Sequence, residues 1–87
     1  MQKSPVKQIF EILTFSEVAE ELDVSRQAVC EYDQIDRIPQ SRITAIVGLY
    51  NKAVKELNRV RKPEYKIELL KLDDVILYCH IRRKRVR

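Results

Sequence analysis

Apolar residues in this chain recur at helical spacing in four stretches, and beyond Arg61 the rhythm becomes ambiguous. Val6, Ile9, Phe10 and Leu13 line one face of a first predicted helix. Ser4-Pro5 opens it, a capping hydroxyl followed by proline where its missing N–H costs nothing. This helix is expected to pack across the next two and complete a three-helix core. Two short patterns come next between Thr14 and Asp33, TFSEVAEELDVSRQAVCEYD, meeting across a three-residue turn. Val18, Ala19 and Leu22 share a face of the first, Val29 and Tyr32 repeat it on the second, and Val24 plugs the turn. Thr14 with Glu17 has the spacing of a capping box, and Ser25 can cap the second helix. The small Ala19 suits two helices that cross over so short a turn.

The polar segment DQIDRIPQS reads as a connector. Pro39 disfavours helical geometry at Ile38, so the third helix is expected to end near Asp33. A fourth helix is predicted from Gln40 or Ser41 to about Val60, which makes it about 30 Å long. Ile43, Ile46, Tyr50, Ala53, Leu57 and Val60 alternate steps of three and four along it, an a/d seam, and Val47 and Val54 widen the stripe. Gly48 inside this helix is expected to mark a close approach of another helix. The stretch RKPEYKIELLKLDDVILYCHI allows two structures. It can form two helices, with Pro63 in a first turn and Asp73 as an N-cap, or a β-hairpin of YKIELLKL and VILYCHI turning at Asp73-Asp74. Tyr65, Ile67 and Leu69 alternate as a strand does. Asp-Asp lacks the glycine or asparagine of a tight hairpin turn, and Glu64 beside Pro63 suits a helix start. The expected fold is therefore all-α, with a C-terminal extension that is helical or, alternatively, a β-hairpin.

Composition narrows the class. One glycine and three prolines in 87 residues suit helices better than an all-β fold, and a chain this short has room for one core. No apolar run reaches the roughly 20 residues of a membrane span and no signal peptide is recognisable, so a cytoplasmic protein is expected, without a membrane partner. Cys30 and Cys79 suit a reducing compartment as small packing residues. With a single histidine, no glycine-rich phosphate loop and no clustered carboxylates, neither catalysis nor a small-molecule substrate, metal or cofactor is expected. The net charge of +4 is divided unevenly. Residues 1–40 hold four basic and eight acidic side chains, a net of −4, and residues 41–87 hold thirteen and five, a net of +8. The chain ends in RRKRVR, five basic residues in six. Such asymmetry often marks a polyanion-binding surface.

Over residues 14–50 the chain resembles the helix-turn-helix DNA-binding proteins of the phage Cro and repressor type. The segment IPQSRITAIVGLY is similar to the stretch just after the recognition helix in small Cro proteins, and Tyr32 matches the aromatic that closes that helix. The chain departs from the family at Asp23, where glycine is usual, although aspartate tolerates left-handed geometry better than most residues. The resemblance implies a helix-turn-helix domain over residues 1–62. Residues 63–87 then form an extension with a basic tail, part of the same fold or of a dimer interface. It also implies a nucleoid-associated, repressor-like regulator of transcription, a homodimer on a palindromic operator in double-stranded DNA. Ser25, Arg26, Gln27 and Glu31 would enter the major groove, where arginine suits guanine, glutamine adenine and glutamate the cytosine amino group. Phosphate contacts would come from Arg37, Arg42, Lys52, Lys55 or the tail residues Arg82, Arg83, Lys84 and Arg85. The dimer would form along Ile43, Ile46, Tyr50 and Leu57. Glu17, Glu20 and Glu21 on the first helix of the motif would repel DNA unless they face away from it. The alternative function is a helical adaptor whose acidic face binds a basic partner and whose tail attracts polyanions without specificity.

Overall fold

Each of the four predicted stripes becomes a helix with its apolar face turned inward. In the computed structural model, which describes residues 4–85 and side chains as far as His80, the order begins α1 (Pro5–Ile12), α2 (Phe15–Leu22) and α3 (Arg26–Gln34). Next come α4 (Gln40–Asn58), a 3-10 turn (Pro63–Tyr65) and α5 (Leu72–Arg85). No strand is present among the described residues. The fold is all-α.

Local chemistry sets the helix ends as expected. Ser4 Oγ accepts the Lys7 N–H at 3.1 Å and Pro5 fills the first helical position of α1. The Thr14 N–H donates to Glu17 Oε1 at 2.9 Å while the Glu17 N–H donates to Thr14 Oγ1 at 3.1 Å, a complete capping box. Ser25 Oγ accepts the Ala28 N–H at 3.1 Å and starts α3. Two helices close on left-handed aspartates, Asp23 after α2 (φ 56°) and Asp36 after α3 (φ 57°). At each, the next residue's N–H reaches back five residues, Val24 to the Ala19 carbonyl and Arg37 to the Tyr32 carbonyl, both at 3.0 Å. This is the Schellman closure, built here without glycine.

The core gathers Val6, Ile9 and Leu13, Val18 and Leu22, Val29, Ile38, and most of the inward face of α4. α1 packs chiefly on α3, α4 and α5 rather than across α2 and α3. Val75 and Cys79 bring α5 into the same core. The face of α4 expected to pair two copies is thereby covered within the chain. Ile43, Ile46 and Tyr50 are 1%, 0% and 2% exposed, so they are not available to a partner. Leu57 is 37% exposed. Gly48 does not mark a close approach either: it is exposed, and a Cβ built there would meet nothing within 4 Å.

The extension takes the helical alternative and not the hairpin, but its first helix is only one short turn. Pro63 does open a helical turn, but one of three residues, and the chain then runs extended to Lys71. Asp73 lies inside the first turn of α5 rather than before it. The extended arm is fastened by two asparagines of α4. Asn51 Nδ2 donates to the Leu70 carbonyl and Asn51 Oδ1 accepts the Leu70 N–H, both at 3.0 Å. Asn58 treats Ile67 in the same way, both at 2.9 Å. Seven residues of α-helix advance about 10.5 Å. Three residues of an extended threefold chain advance about 9.3 Å and return to the same side. The two amides and the two backbone sites therefore fall into register. Ile67 and Leu70, three residues apart, are half-buried while Tyr65 and Leu69 are exposed, a pattern that fits a threefold course and not the alternation of a strand.

Urea unfolding can check two consequences of this packing. Asn58→Ala leaves the Ile67 N–H and carbonyl without their partner and should cost about 1–3 kcal/mol. Gly48→Ala, in open space on a helix, should stabilise by about 0.5–1 kcal/mol.

Candidate nucleic-acid interface

The start of α3 is a fixed platform with a free outer surface. Ser25 is committed to the cap, so its hydroxyl holds the helix end while the next two residues project from the first turn. Arg26 and Gln27 are exposed and, among the described residues, form no hydrogen bond or ion pair. Both line a shallow hollow with Phe15 and Cys30. Phe15 packs edge-on against Phe10, ring centroids 5.4 Å apart, which gives Arg26 an aromatic neighbour held in place from α1. Glu31 is exposed one turn further along. A helix start that leaves an arginine and a glutamine unbonded offers bidentate donors and acceptors to an outside ligand.

The cations expected to meet phosphate lie elsewhere. Arg37 and Arg42 are half-buried at the corner between α3 and α4, and the nine residues of α3, about 13 Å of helix, separate Arg37 from Arg26. Arg37 shares a small cleft with Gln40, Ile43, Ile76, Cys79 and His80. The backbone of residues 81–85 continues α5 from this corner, while the side chains of Arg82, Arg83, Lys84 and Arg85 lie outside the described residues. Glu17 is taken up by the capping box, and Glu20 and Glu21 are exposed. Ser25, Arg26, Gln27 and Glu31 thus share one helix, and Arg37 and Arg42 form a separate group with the root of the tail.

Sequence reasoning missed the ties that hold this corner. The Asp36 carboxylate accepts the Ser4 hydroxyl on one oxygen and the Tyr78 hydroxyl on the other. Lys7 Nζ donates to the Asp33 carbonyl at 2.7 Å and pairs with its carboxylate at 3.1 Å. The Ile38 N–H donates to Cys79 Sγ at 3.4 Å. α1, the α3–α4 connector and α5 are therefore bound at one point. The readable signal was a serine-capped helix start and an aspartate in a connector, but their pairing spans 32 residues.

Burial pushes the Cys79 thiol up, against the opposing pulls of the Ile38 N–H and Arg37, and Asp36 adds a smaller push. Burial also raises the Tyr50 hydroxyl. Among the described residues, no group of three or more His, Cys, Asp or Glu side chains is placed to hold a metal ion. None of the described helices is long and apolar enough to cross a membrane. No protein-family model matches the chain, and no curated protein or solved structure does either.

A folded-state thiol pKa above its unfolded value contributes stability that is fully present below the unfolded pKa. That stability is lost as pH rises through the folded value. Unfolding free energy, measured by urea titration, should therefore decline above about pH 9, where a free thiol ionises. Cys79→Ala should postpone the decline until Tyr50 begins to ionise, above about pH 10. Identical alkaline profiles for the two proteins would exclude Cys79 as the cause.

Proposed function

We propose that this protein is a sequence-specific, double-stranded DNA-binding regulator of transcription, repressor-like, and not an enzyme. α2, the Asp23–Ser25 turn and α3 act as a helix-turn-helix of the Cro and repressor type, with α3 as the recognition helix. The observation that carries this reading is the capped start of α3, where Arg26 and Gln27 are exposed and unbonded beside the Ser25 cap. These are the side chains that read guanine and adenine edges in the major groove. The left-handed Asp23 supports it, because the turn has the backbone for which the family ordinarily uses glycine.

The protein acts as a homodimer, one α3 per half-site of a palindromic operator, with half-sites one DNA turn apart, roughly 34–36 Å. Two copies offset the modest charge available to one. Arg37, Arg42 and the basic tail supply the phosphate contacts, which fix position on the duplex without reading it. The second reading, a helical adaptor, draws on the exposed Glu20, Glu21 and Asp23 of the α2 end, an acidic face suited to a basic protein. Salt separates the two. A regulator keeps its sequence preference while affinity falls steeply with salt, whereas an adaptor binds duplexes weakly and without preference.

Selection of duplexes from a random pool, and then titration of the winner, tests the proposal directly. Arg26→Ala should lose about 1–3 kcal/mol of discrimination between the selected duplex and a base-substituted one. Its unfolding curve should be nearly unchanged, since the exposed side chain makes no hydrogen bond or ion pair among the described residues. Undiminished discrimination in the variant would remove Arg26 from base reading.

A further inference from the structure

Residues 59–66 form a loop at the far end of α4, closed at its base by the pairing of Asn58 with Ile67. Inside it the Val60 N–H reaches the Leu57 carbonyl at 3.3 Å and the Tyr65 N–H reaches the Lys62 carbonyl at 2.9 Å. Arg61 Nη1 adds a bond to the Tyr65 carbonyl at 3.3 Å. The loop is thus a held shape, and its outward face is unusual. Val60 is 86% exposed and Tyr65 64%, with Leu57 at 37% just before them. Residues 52–66 also carry six basic and two acidic side chains, all exposed. Arg59 pairs with Glu56 at 3.6 Å, whereas among the described residues Lys52, Lys55, Lys62 and Lys66 form no ion pair.

We propose that this surface docks an acidic protein segment that carries apolar side chains. Complementarity of charge selects the sign of the partner: four unpaired ammonium groups attract carboxylates and repel another basic surface. Exposed apolar residues select its second property. A polyanion without apolar groups leaves Val60, Tyr65 and Leu57 in water, while a segment with apolar side chains buries them. The backbone of duplex DNA presents phosphates and sugars, which leave these apolar side chains largely in water. A symmetric contact with a second copy sets the same lysines against one another. Because the loop is already closed, little ordering cost remains at binding. Lys52, the nearest of these cations, follows Arg42 by about 15 Å of helix and the loop lies beyond it, so the inference does not use Arg26, Gln27, Arg37 or Arg42.

The test uses the full chain and two fluorescent peptides of equal length and charge, one alternating Glu with Leu and Phe, the other alternating Glu with Ser. Anisotropy should show the apolar peptide binding about tenfold tighter. Val60→Ser with Tyr65→Ser should erase that margin and leave the Glu/Ser peptide unaffected. Lys55→Glu with Lys62→Glu should abolish binding of both peptides, and as neither lysine's side chain makes a hydrogen bond or ion pair among the described residues, this variant reports binding rather than folding. Arg26→Ala should change nothing. Equal affinity for the two peptides would overturn the proposal. So would competition through Val60 and Tyr65 by a mixed-sequence duplex or by phosphatidylserine vesicles, or sedimentation showing self-association that those two substitutions abolish.

Discussion

The hydrogen bonds of the Asp36 carboxylate are the constraint on which the remaining packing depends. The chain must leave α3 and enter α4 within five residues, and Ile38 in that connector is 1% exposed, so the connector's polar groups need partners. A left-handed residue makes the turn, and glycine would adopt it at less cost. Aspartate costs about 1–2 kcal/mol more in that conformation. In return its two oxygens receive the Ser4 and Tyr78 hydroxyls, bonds to a charged acceptor worth about 1.5–3 kcal/mol each. Two such bonds outweigh the strain. They also fix α1 and α5 to the end of α3, so the pose of the proposed recognition helix is set by residues remote from its outer face.

Asp23 has no such return from its side chain, for which no hydrogen bond or ion pair is present among the described residues. It sits at the C-terminus of α2, behind Glu20 and Glu21, where the helix dipole disfavours negative charge. The same carboxylate lies two residues before the Ser25 cap, near the positive end of α3. The two dipole effects oppose each other, and the tight turn places one residue within reach of both.

Much of the fold was legible because local signals carried it. Ser4-Pro5, Thr14 with Glu17, and Ser25 each name a helix start through bonds that close within three residues. The arm was illegible for the opposite reason. Tyr65, Ile67 and Leu69 alternate like a strand, but Asn51 and Asn58 impose a threefold course from 19 and 9 residues away. Nothing local to YKIELL records that grip. The α4 seam misled in a similar way: its spacing fits a second copy, yet the chain's own helices α1, α2 and α5, the last of which the sequence left open, pack on α4 and Ile43, Ile46 and Tyr50 are buried. Exposure of Arg26 and Gln27 followed from the cap alone, while the separation of Arg37 and Arg42 from them needed the length and direction of α3.

The long helix gives the charge asymmetry a spatial meaning that the totals do not. Residues 1–40 are acidic by four and residues 41–87 basic by eight, yet the basic excess is not one patch. Arg42 stands near the beginning of α4, Lys52 and Lys55 follow about 15 and 20 Å along it, and Arg59 caps its end. The gap is roughly twice the Debye length of about 8 Å at physiological salt, so a partner's charges at one group are largely screened from the other. At the first, Arg42 and Arg37 are half-buried beside the connector and present little apolar surface. At the second, the cations are exposed and flank the exposed Val60 and Tyr65 along the chain. If both proposals hold, phosphate meets charges fixed to the connector corner and the apolar acidic segment meets those of the closed loop. α4 then holds the two sites apart.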